Sequence, residues 1–148
     1  VLSKKFIPDI KLETVGTLTR DDVRSLKKQL GIEGVILDID ETVRTGMNKI
    51  PKCNEQWLDM LKEELKVIVV SNGIDGNVEK FLEAKGIDYI GFAHKPMKKN
   101  FIKACERLGI APENTLVIGD SVWCDIYGGQ RNNMKTALVK KVEEDEGR

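Results

Sequence analysis

The sequence predicts an α/β fold: a doubly wound, Rossmann-like parallel sheet of about five strands with helices on both faces. Three observations predict it. Short runs of β-branched and aliphatic residues recur along the chain, segments with helical apolar spacing lie between them, and glycines follow three of those segments. Strands that alternate with helices in this way form right-handed βαβ units, whose parallel strands are buried on both faces.

Each element has its own signal. Thr19 followed by two acids is typical of a helix start and predicts a helix over 19–30, after an irregular segment over 1–18. Five apolar runs predict strands over 35–39, 66–70, 87–90, 115–118 and 136–139. Helical spacing predicts helices over 54–64, 76–85 and 100–108 and a shorter one near 125–130. Gly31, Gly86 and Gly109 are expected to end helices, and residues 143–148 to form a frayed acidic tail.

Size, charge and cysteine content restrict the functional class. The 148 residues predict one domain over 1–148, and the 24 basic and 24 acidic residues cancel, which argues against a nucleic-acid-binding protein. The longest apolar runs are too short to form a transmembrane segment, and the printed residues open with no secretory signal. Cys53, Cys105 and Cys124 lack metal-site spacing and are interpreted as reduced thiols, so we expect a cytoplasmic protein.

Polar side chains follow the predicted strands and one loop. They are Asp38 and Asp40 after the first strand, Ser71 and Asn72 after the second, Lys95 in a loop, and Asp120 and Asp125 after the fourth strand. In a doubly wound fold, ligands bind beyond the carboxyl ends of the strands, where the strand order reverses. We therefore expect these residues to meet at one site.

The residue types indicate the chemistry of that site. Asp38 and Asp40 point to the same side of a strand, about 7 Å apart along the chain. Such a pair repels unless a cation or a proton lies between the two carboxylates. Several carboxylates with one lysine, in a chain whose single histidine is His94, are typical of a site for Mg²⁺ and phosphate.

The same residues resemble the four motifs of the haloacid dehalogenase (HAD) superfamily. Asp38-x-Asp40-x-Thr42, Ser71, Lys95 and Gly119-Asp120-x4-Asp125 occur in the family's order over 88 residues. The segments 5–9, 95–96 and 128–132 further resemble the YqeG-type branch of HAD phosphatases, which is related to mitochondrial-type phosphatidylglycerophosphate phosphatases. Glu41 departs from this pattern, because asparagine is expected at its position.

The resemblance implies a phosphatase mechanism. Asp38 would be the nucleophile that forms an aspartyl-phosphate, and Asp40 the general acid and then the general base. Phosphate binding would fall to Ser71, Asn72 and Lys95. The ligands of Mg²⁺ would be Asp38, the backbone carbonyl of Asp40, Asp120 and Asp125.

Plainer structural roles exist for the same residues. Asp38 and Asp40 would otherwise be strand-end caps, although two acids ending an apolar strand are costly without a cation. Taken alone, Ser71 is typical of a turn, Lys95 of a solvated loop, and Asp125 of a helix N-cap. We expect local order or packing for Thr42, His94 and Trp123, with substrate contact as an alternative for Trp123, and no role is predicted for Arg131 and Asn132.

Two spacings bear on the substrate. The 28 residues between Thr42 and Ser71 and the 23 between Ser71 and Lys95 are too few for an inserted cap domain, so we expect an open site. Residues 43–52 and 94–103 carry lysines and Arg44 but no acid, which predicts a positive rim that attracts an anionic substrate, if the charges do more than aid solubility.

The family likeness favours a membrane-borne lipid phosphate such as phosphatidylglycerophosphate, with a soluble sugar or nucleoside phosphate as the alternative. A lipid substrate would make the protein peripheral at a membrane. From a different class, a receiver-like phosphoacceptor or a scaffold domain would share this fold, although a receiver places its acceptor aspartate after the third strand, where no aspartate follows Tyr89. The sequence does not determine the oligomeric state.

Overall fold

A six-stranded parallel sheet forms the centre of the protein, whose computed structural model describes residues 4–145. The strands are β1 (Ile10–Leu12), β2 (Gly34–Leu37), β3 (Lys66–Val70), β4 (Asp88–Ile90), β5 (Thr115–Gly119) and β6 (Lys135–Val139). Their order across the sheet is β1-β6-β5-β2-β3-β4, and all neighbouring strands pair in parallel. The predicted doubly wound parallel sheet is confirmed.

The helices follow the strands as the periodicity predicts. They are α1 (Arg20–Leu30), α2 (Lys52–Glu64), α3 (Gly76–Lys85), α4 (Lys98–Leu108) and α5 (Gly128–Gln130), the last preceded by a π-helical turn over Val122–Tyr127. Gly31, Gly86 and Gly109 end α1, α3 and α4 with φ angles of +68°, +69° and +69°. This left-handed conformation is easy for glycine alone, and the three predicted caps are therefore confirmed.

The core has two layers because successive residues of a strand face opposite sides of the sheet. Val35 and Leu37 of β2 pack with residues of α1, α2 and α3, whereas Ile36 packs on the other side with Phe101 of α4. Within the described residues, no inserted cap domain interrupts this alternation, and no helix has the length and apolar character needed to cross a membrane.

Strand register brings the ends of three strands to the same level. Leu37 at the end of β2 lies beside Val69 of β3 and Ile118 of β5. From β2 the chain moves outward to β3 and β4 and then returns to the other side of β2 as β5. The order therefore reverses between β2 and β5, which is where such a fold opens a crevice.

The N-terminal segment is more ordered than predicted. The expectation of an irregular segment over 1–18 is wrong for Ile10–Leu12, which form the edge strand β1 and pair with β6. Val15 and Leu18 are also buried in the core. Its partner strand β6 lies near the other end of the chain, with Ile10 beside Ala137, so no local pattern predicts the pairing. Residues 1–3 lie outside the described residues.

The acidic tail is also partly ordered, so the expectation of a frayed tail is wrong for 143–145. Glu143 accepts a hydrogen bond from the Thr14 hydroxyl at 2.9 Å. Asp145 accepts from the backbone N–H groups of Lys52 and Cys53 at 2.7 and 2.8 Å. Because Pro51 provides no side-chain cap for α2, the tail satisfies the free N–H groups at the start of that helix. Residues 146–148 lie outside the described residues.

Candidate active site

The ends of β2, β3 and β5 surround a cavity of about 180 Å³. All seven residues predicted for the site lie in its lining, which comprises Asp38, Asp40, Ser71, Asn72, Gly73, Lys95, Asp120, Ser121, Cys124 and Asp125. The structure thus brings together side chains that are up to 87 positions apart in the sequence. Their chemical roles remain predictions.

Lys95 occupies the centre of this arrangement. It is buried, with 7% of its surface exposed, and its Nζ lies 3.0 Å from Asp38 Oδ1 and 2.6 Å from Asp125 Oδ1. Burial by itself lowers the pKa of Lys95, but the two carboxylates outweigh it and hold that pKa above its ordinary value. Lys95 is therefore a permanent cation, and the solvated-loop alternative for it is wrong.

Three carboxylates converge on this lysine. Oxygen atoms of Asp38, Asp120 and Asp125 all lie within 4.8 Å of one another. Burial, followed by the charges of Asp38 and Asp125, raises the pKa of Asp120 to about 7. Burial also raises the pKa of Asp125 to about 6, although Lys95 opposes the shift. The cluster carries more negative charge than one ammonium neutralises, so it favours a further cation.

The donor set fits a hard divalent ion. Carboxylate oxygens in close array are the ligands that Mg²⁺ prefers, and the pKa values of Asp120 and Asp125 are raised even with Lys95 beside them. The side chain of Asp40 lies outside this three-residue group, which agrees with an expected role for its backbone carbonyl rather than its carboxylate.

The turn after β2 fixes Asp38 at the strand end. Its backbone N–H donates to Ile118 O at 2.9 Å, so it continues the pairing of β2 with β5. The buried Thr42 donates its hydroxyl to Asp38 Oδ2 at 3.2 Å, a contact beyond the local order predicted for it. Glu41 has a φ angle of +60°, a region that asparagine adopts more easily, which explains why asparagine is expected there.

The loop after β3 presents the phosphate-binding candidates. Ser71 is buried, and its backbone N–H donates to Ile90 O at 3.0 Å. Its hydroxyl oxygen lies 2.5 Å from Gly73 O and 3.3 Å from Gly73 N. Asn72 Oδ1 accepts from the backbone N–H of Lys95 at 2.7 Å. The loop that carries Ser71 is thus tied directly to the loop that carries Lys95.

Asp125 is oriented by the turn that follows β5. Ser121, not Asp125, caps the π-helical turn, since its hydroxyl accepts from Cys124 N at 2.9 Å. Asp125 is 1% exposed and turns its carboxylate to Lys95, so the helix-cap alternative for Asp125 is wrong. A Cβ atom at Gly119 would lie 2.2 Å from that carboxyl group, which explains the glycine in the motif.

Arg44 is the functional candidate that sequence reasoning missed. It was expected on the positive rim, but it is 2% exposed and its guanidinium binds the carboxylates of Asp40 and Asp75. Lys95, which was also expected on the rim, is buried too, and its Nζ contacts Asp38 and Asp125. The remaining lysines of the two segments are exposed as predicted: Lys49, Lys52, Lys98, Lys99 and Lys103.

An aromatic stack lies beside the turn after β5. The rings of Trp123 and Tyr127 are 5.1 Å apart and those of Tyr127 and Phe6 are 4.6 Å apart, all nearly parallel. Arg131 lies 5.2 Å from the Tyr127 ring centroid. Asn132 donates to Gly128 O at 2.7 Å. These contacts are structural, although Trp123 remains 56% exposed. They show packing roles for Arg131 and Asn132, for which the sequence predicted none.

Comparison with known proteins agrees with this geometry. The profile of haloacid dehalogenase-like hydrolases matches residues 50–133, a segment that includes Ser71, Lys95, Asp120 and Asp125. YqeG of Bacillus subtilis strain 168, named a probable phosphatase, is 33% identical over 149 residues, which cover 99% of this chain and 84% of that protein.

Two solved structures are also similar. An uncharacterized protein from Listeria monocytogenes serotype 4b has a TM-score of 0.61 and 20% identity, covering 79% of this chain and 85% of that one, and shows the fold alone. YfnB from Bacillus subtilis, in a crystal form bound to magnesium, has a TM-score of 0.52 and 28% identity. That match covers 61% of this chain and 45% of YfnB.

Proposed function

Because this chain belongs to the haloacid dehalogenase-like hydrolases, as one of their phosphatases, we propose that it hydrolyses phosphomonoesters with Mg²⁺ through an aspartyl-phosphate on Asp38. The observation that supports this most directly is the contact of Lys95 with both Asp38 and Asp125, beside Asp120, in one buried cluster. The cluster joins a nucleophile, a cation for the phosphoryl oxygens, and ligands for a metal ion.

The first step transfers the phosphoryl group to the enzyme. A carboxylate oxygen of Asp38 attacks phosphorus, and the bond between phosphorus and the ester oxygen breaks. Asp40 gives its proton to that oxygen, which leaves as an alcohol. Lys95 and the hydroxyl of Ser71 would bind the phosphoryl oxygens. Mg²⁺, held by Asp38, Asp120, Asp125 and the carbonyl of Asp40, would supply further neutralising charge.

The second step returns the enzyme to its starting state. A water molecule attacks phosphorus of the aspartyl-phosphate while the Asp40 carboxylate takes a proton from it. The bond between Asp38 and phosphorus breaks, and inorganic phosphate leaves. Asp38 is again a carboxylate and Asp40 is again protonated, so one water is consumed for each ester cleaved.

The substrate is proposed to be large or membrane-borne. A cavity of about 180 Å³ accommodates a phosphate-sized group, so the rest of the substrate would lie outside it. No cap domain closes over the opening in the described residues, and exposed lysines lie in the segments 43–52 and 94–103, which follow the carboxyl ends of β2 and β4. Together with the resemblance to the YqeG-type branch, these features favour a lipid phosphate such as phosphatidylglycerophosphate over a soluble sugar or nucleoside phosphate.

The location of the protein in the cell is part of the same proposal. We expect a cytoplasmic protein, because Cys53, Cys105 and Cys124 lack the spacing of a disulfide framework or a metal site. A lipid substrate would bring it to the membrane surface as a peripheral protein. The hydrolase family favours turnover over the receiver-like or scaffold alternatives.

The decisive experiment is a phosphatase assay with and without Mg²⁺, in which Asp38→Asn is compared with the wild type. We expect Asp38→Asn to lose at least about 10³-fold in kcat, because the amide is a poor nucleophile, while the variant remains folded. Asp21→Asn, an exposed position on α1, is the matched control and should behave as the wild type. Turnover that persists in Asp38→Asn would show that the nucleophile is another residue.

A second assay separates the substrate classes. Phosphatidylglycerophosphate in phosphatidylcholine vesicles is offered beside soluble glycerol, sugar and nucleoside monophosphates. We expect a higher kcat/KM for the lipid. Equal or better hydrolysis of the soluble esters would remove the lipid assignment, and a stable phosphorylated protein without release of phosphate would favour the receiver-like alternative.

A further inference from the structure

Arg44 connects Asp40 to the start of α3. Its Nε donates to Asp40 Oδ1 at 2.7 Å, and one terminal nitrogen donates to Asp75 Oδ2. The Arg44 side chain is 3% exposed, whereas that of Asp40 is 42% exposed and faces the catalytic cavity. The buried guanidinium of Arg44 thus binds Asp40, which lines the cavity, and Asp75, which does not.

Asp75 is the fixed end of this connection. Its Oδ1 accepts from Val78 N at 3.0 Å, which makes it the N-cap of α3. The carboxylate therefore has one oxygen on the helix and the other on Arg44. A buried guanidinium needs partners to offset its lost hydration. The carboxylates of Asp40 and Asp75 serve Arg44 in this way, and a third nitrogen donates to Asn48 O at 3.5 Å.

Asp40 is the more exposed of the two carboxylates that bind Arg44. The isolated backbone bridge between Asp40 and Arg44, with Glu41 N donating to Arg44 O at 2.7 Å, closes a tight turn beneath the side-chain pair. The guanidinium binds Oδ1 alone, which leaves Oδ2 to carry and transfer a proton. An acid on a turn with an exposed side chain would otherwise sample several rotamers.

We propose that Arg44 is a positioning residue that holds the Asp40 side chain in the direction required for proton transfer, with Asp75 as its anchor. This inference rests on the proposed function, in which Asp40 is the general acid. A positioned acid matters most when the leaving oxygen is strongly basic and least when it leaves readily as a weakly basic anion. The sensitivity of the rate to the leaving group therefore reports the position of Asp40.

The test compares kcat/KM for phenyl, 4-nitrophenyl and 2,4-dinitrophenyl phosphate, because kcat/KM reports only steps up to the aspartyl-phosphate. For Arg44→Gln we expect a loss of about 30-fold with phenyl phosphate and about threefold with the dinitrophenyl ester, because a misplaced acid loses only part of the roughly 10²–10⁴-fold that general acid catalysis contributes. Arg44→Lys should recover part of the loss with phenyl phosphate, since an ammonium can still bind one oxygen of Asp40.

Asp75→Asn tests the anchor separately. Asparagine caps a helix as well as aspartate does, so this variant keeps the cap of α3 and removes the charge that binds Arg44. We expect the same steeper dependence on the leaving group, at smaller size. Arg20→Gln is the matched control, since Arg20 also binds two carboxylates, Glu63 and Glu64, and lies on α1 away from the cavity.

The outcomes are distinguishable. An equal loss of kcat/KM on all three esters in Arg44→Gln, or a gain in kcat/KM, would overturn the positioning role. The proposed function would still hold in that case, provided that the wild type is active and Asp38→Asn is inactive. In an Asp40→Asn background, Arg44→Gln should add no further leaving-group dependence, and an additive effect would also contradict the inference. If Arg44→Gln does not fold, Arg44→Lys and Asp75→Asn carry the same test. Activity in Asp38→Asn would instead overturn the proposed function itself.

Discussion

Lys95 sets the charge balance of the site at the level of single residues. Its ammonium contacts Asp38 and Asp125, but Asp120 completes a group of three carboxylates that one lysine cannot neutralise. Burial strengthens the repulsion because the surrounding dielectric constant is low. The cluster of Asp38, Asp120 and Asp125 is therefore less stable without a further cation than with one.

Asp120→Asn tests this charge balance. Removing one of the three carboxylates relieves repulsion, so we expect the variant to melt above the wild type in EDTA, by about 2–4 °C for each kcal/mol relieved. Mg²⁺ should raise the melting temperature of the wild type and have much less effect on the variant, because binding to the folded state stabilises it. Thermal unfolding in EDTA and in Mg²⁺ measures both. A lower melting temperature for Asp120→Asn in EDTA would contradict the repulsion.

At the level of elements, the chain compensates for a helix that begins without a cap. The helix α2 follows Pro51, which has no side chain to accept from its first N–H groups, and Asp145 accepts from two of them. The turn after β5 depends instead on nearby residues, since Ser121 caps it and Gly119 leaves room for the carboxylate of Asp125.

Asp145→Ala should lower the melting temperature at neutral pH, because α2 loses its cap. The hydrogen bonds from Cys53 N and Lys52 N lower the pKa of Asp145 below its ordinary value. A carboxyl group with a lowered folded-state pKa stabilises the fold above its ordinary pKa of about 3.9 and loses that effect as the pH falls below it. The difference between Asp145→Ala and the wild type, measured by thermal unfolding, should therefore be largest near pH 7 and shrink towards pH 3.

Glu144→Ala is the control for this experiment, since Glu144 is the exposed neighbour of Asp145 in the tail. It removes the same charge from the same segment and should leave the melting temperature unchanged. An equal decrease in both variants would mean that net charge, rather than the cap, accounts for the effect of Asp145→Ala.

At the level of the whole molecule, the segment before β1 contacts the start of β6, so the N-terminal and C-terminal parts of the chain meet beside the sheet. Asp9 accepts from Thr136 N at 2.9 Å and from Gln130 Nε2 at 3.0 Å, just before β1 pairs with β6. Thr136 is near the start of β6, and β1 runs parallel to it. These contacts therefore lie at the amino ends of the strands, opposite the carboxyl ends that surround the candidate active site.

Asp9→Ala should separate stability from activity. The variant leaves the N–H of Thr136 without its partner, and we expect a loss of about 1–3 kcal/mol in the free energy of unfolding. Because the site lies at the carboxyl ends of the strands, kcat/KM should stay within about twofold of the wild type at temperatures below the transition. Chemical denaturation and steady-state kinetics measure the two effects, and a large fall in kcat/KM would show that β1 supports the site.

Local patterns in the sequence determined the α/β class, the five strands β2 to β6, the three glycine caps and the strand ends at which Asp38, Ser71 and Asp120 lie. Apolar periodicity and turn chemistry operate over a few residues, so they can be seen in a single chain. Only the tertiary structure decided that Arg44 is buried between Asp40 and Asp75, that Ile10–Leu12 form a strand, and that Asp145 caps α2. Each of these depends on partners that are distant in sequence or on a charge turned inward, and no local pattern encodes such contacts.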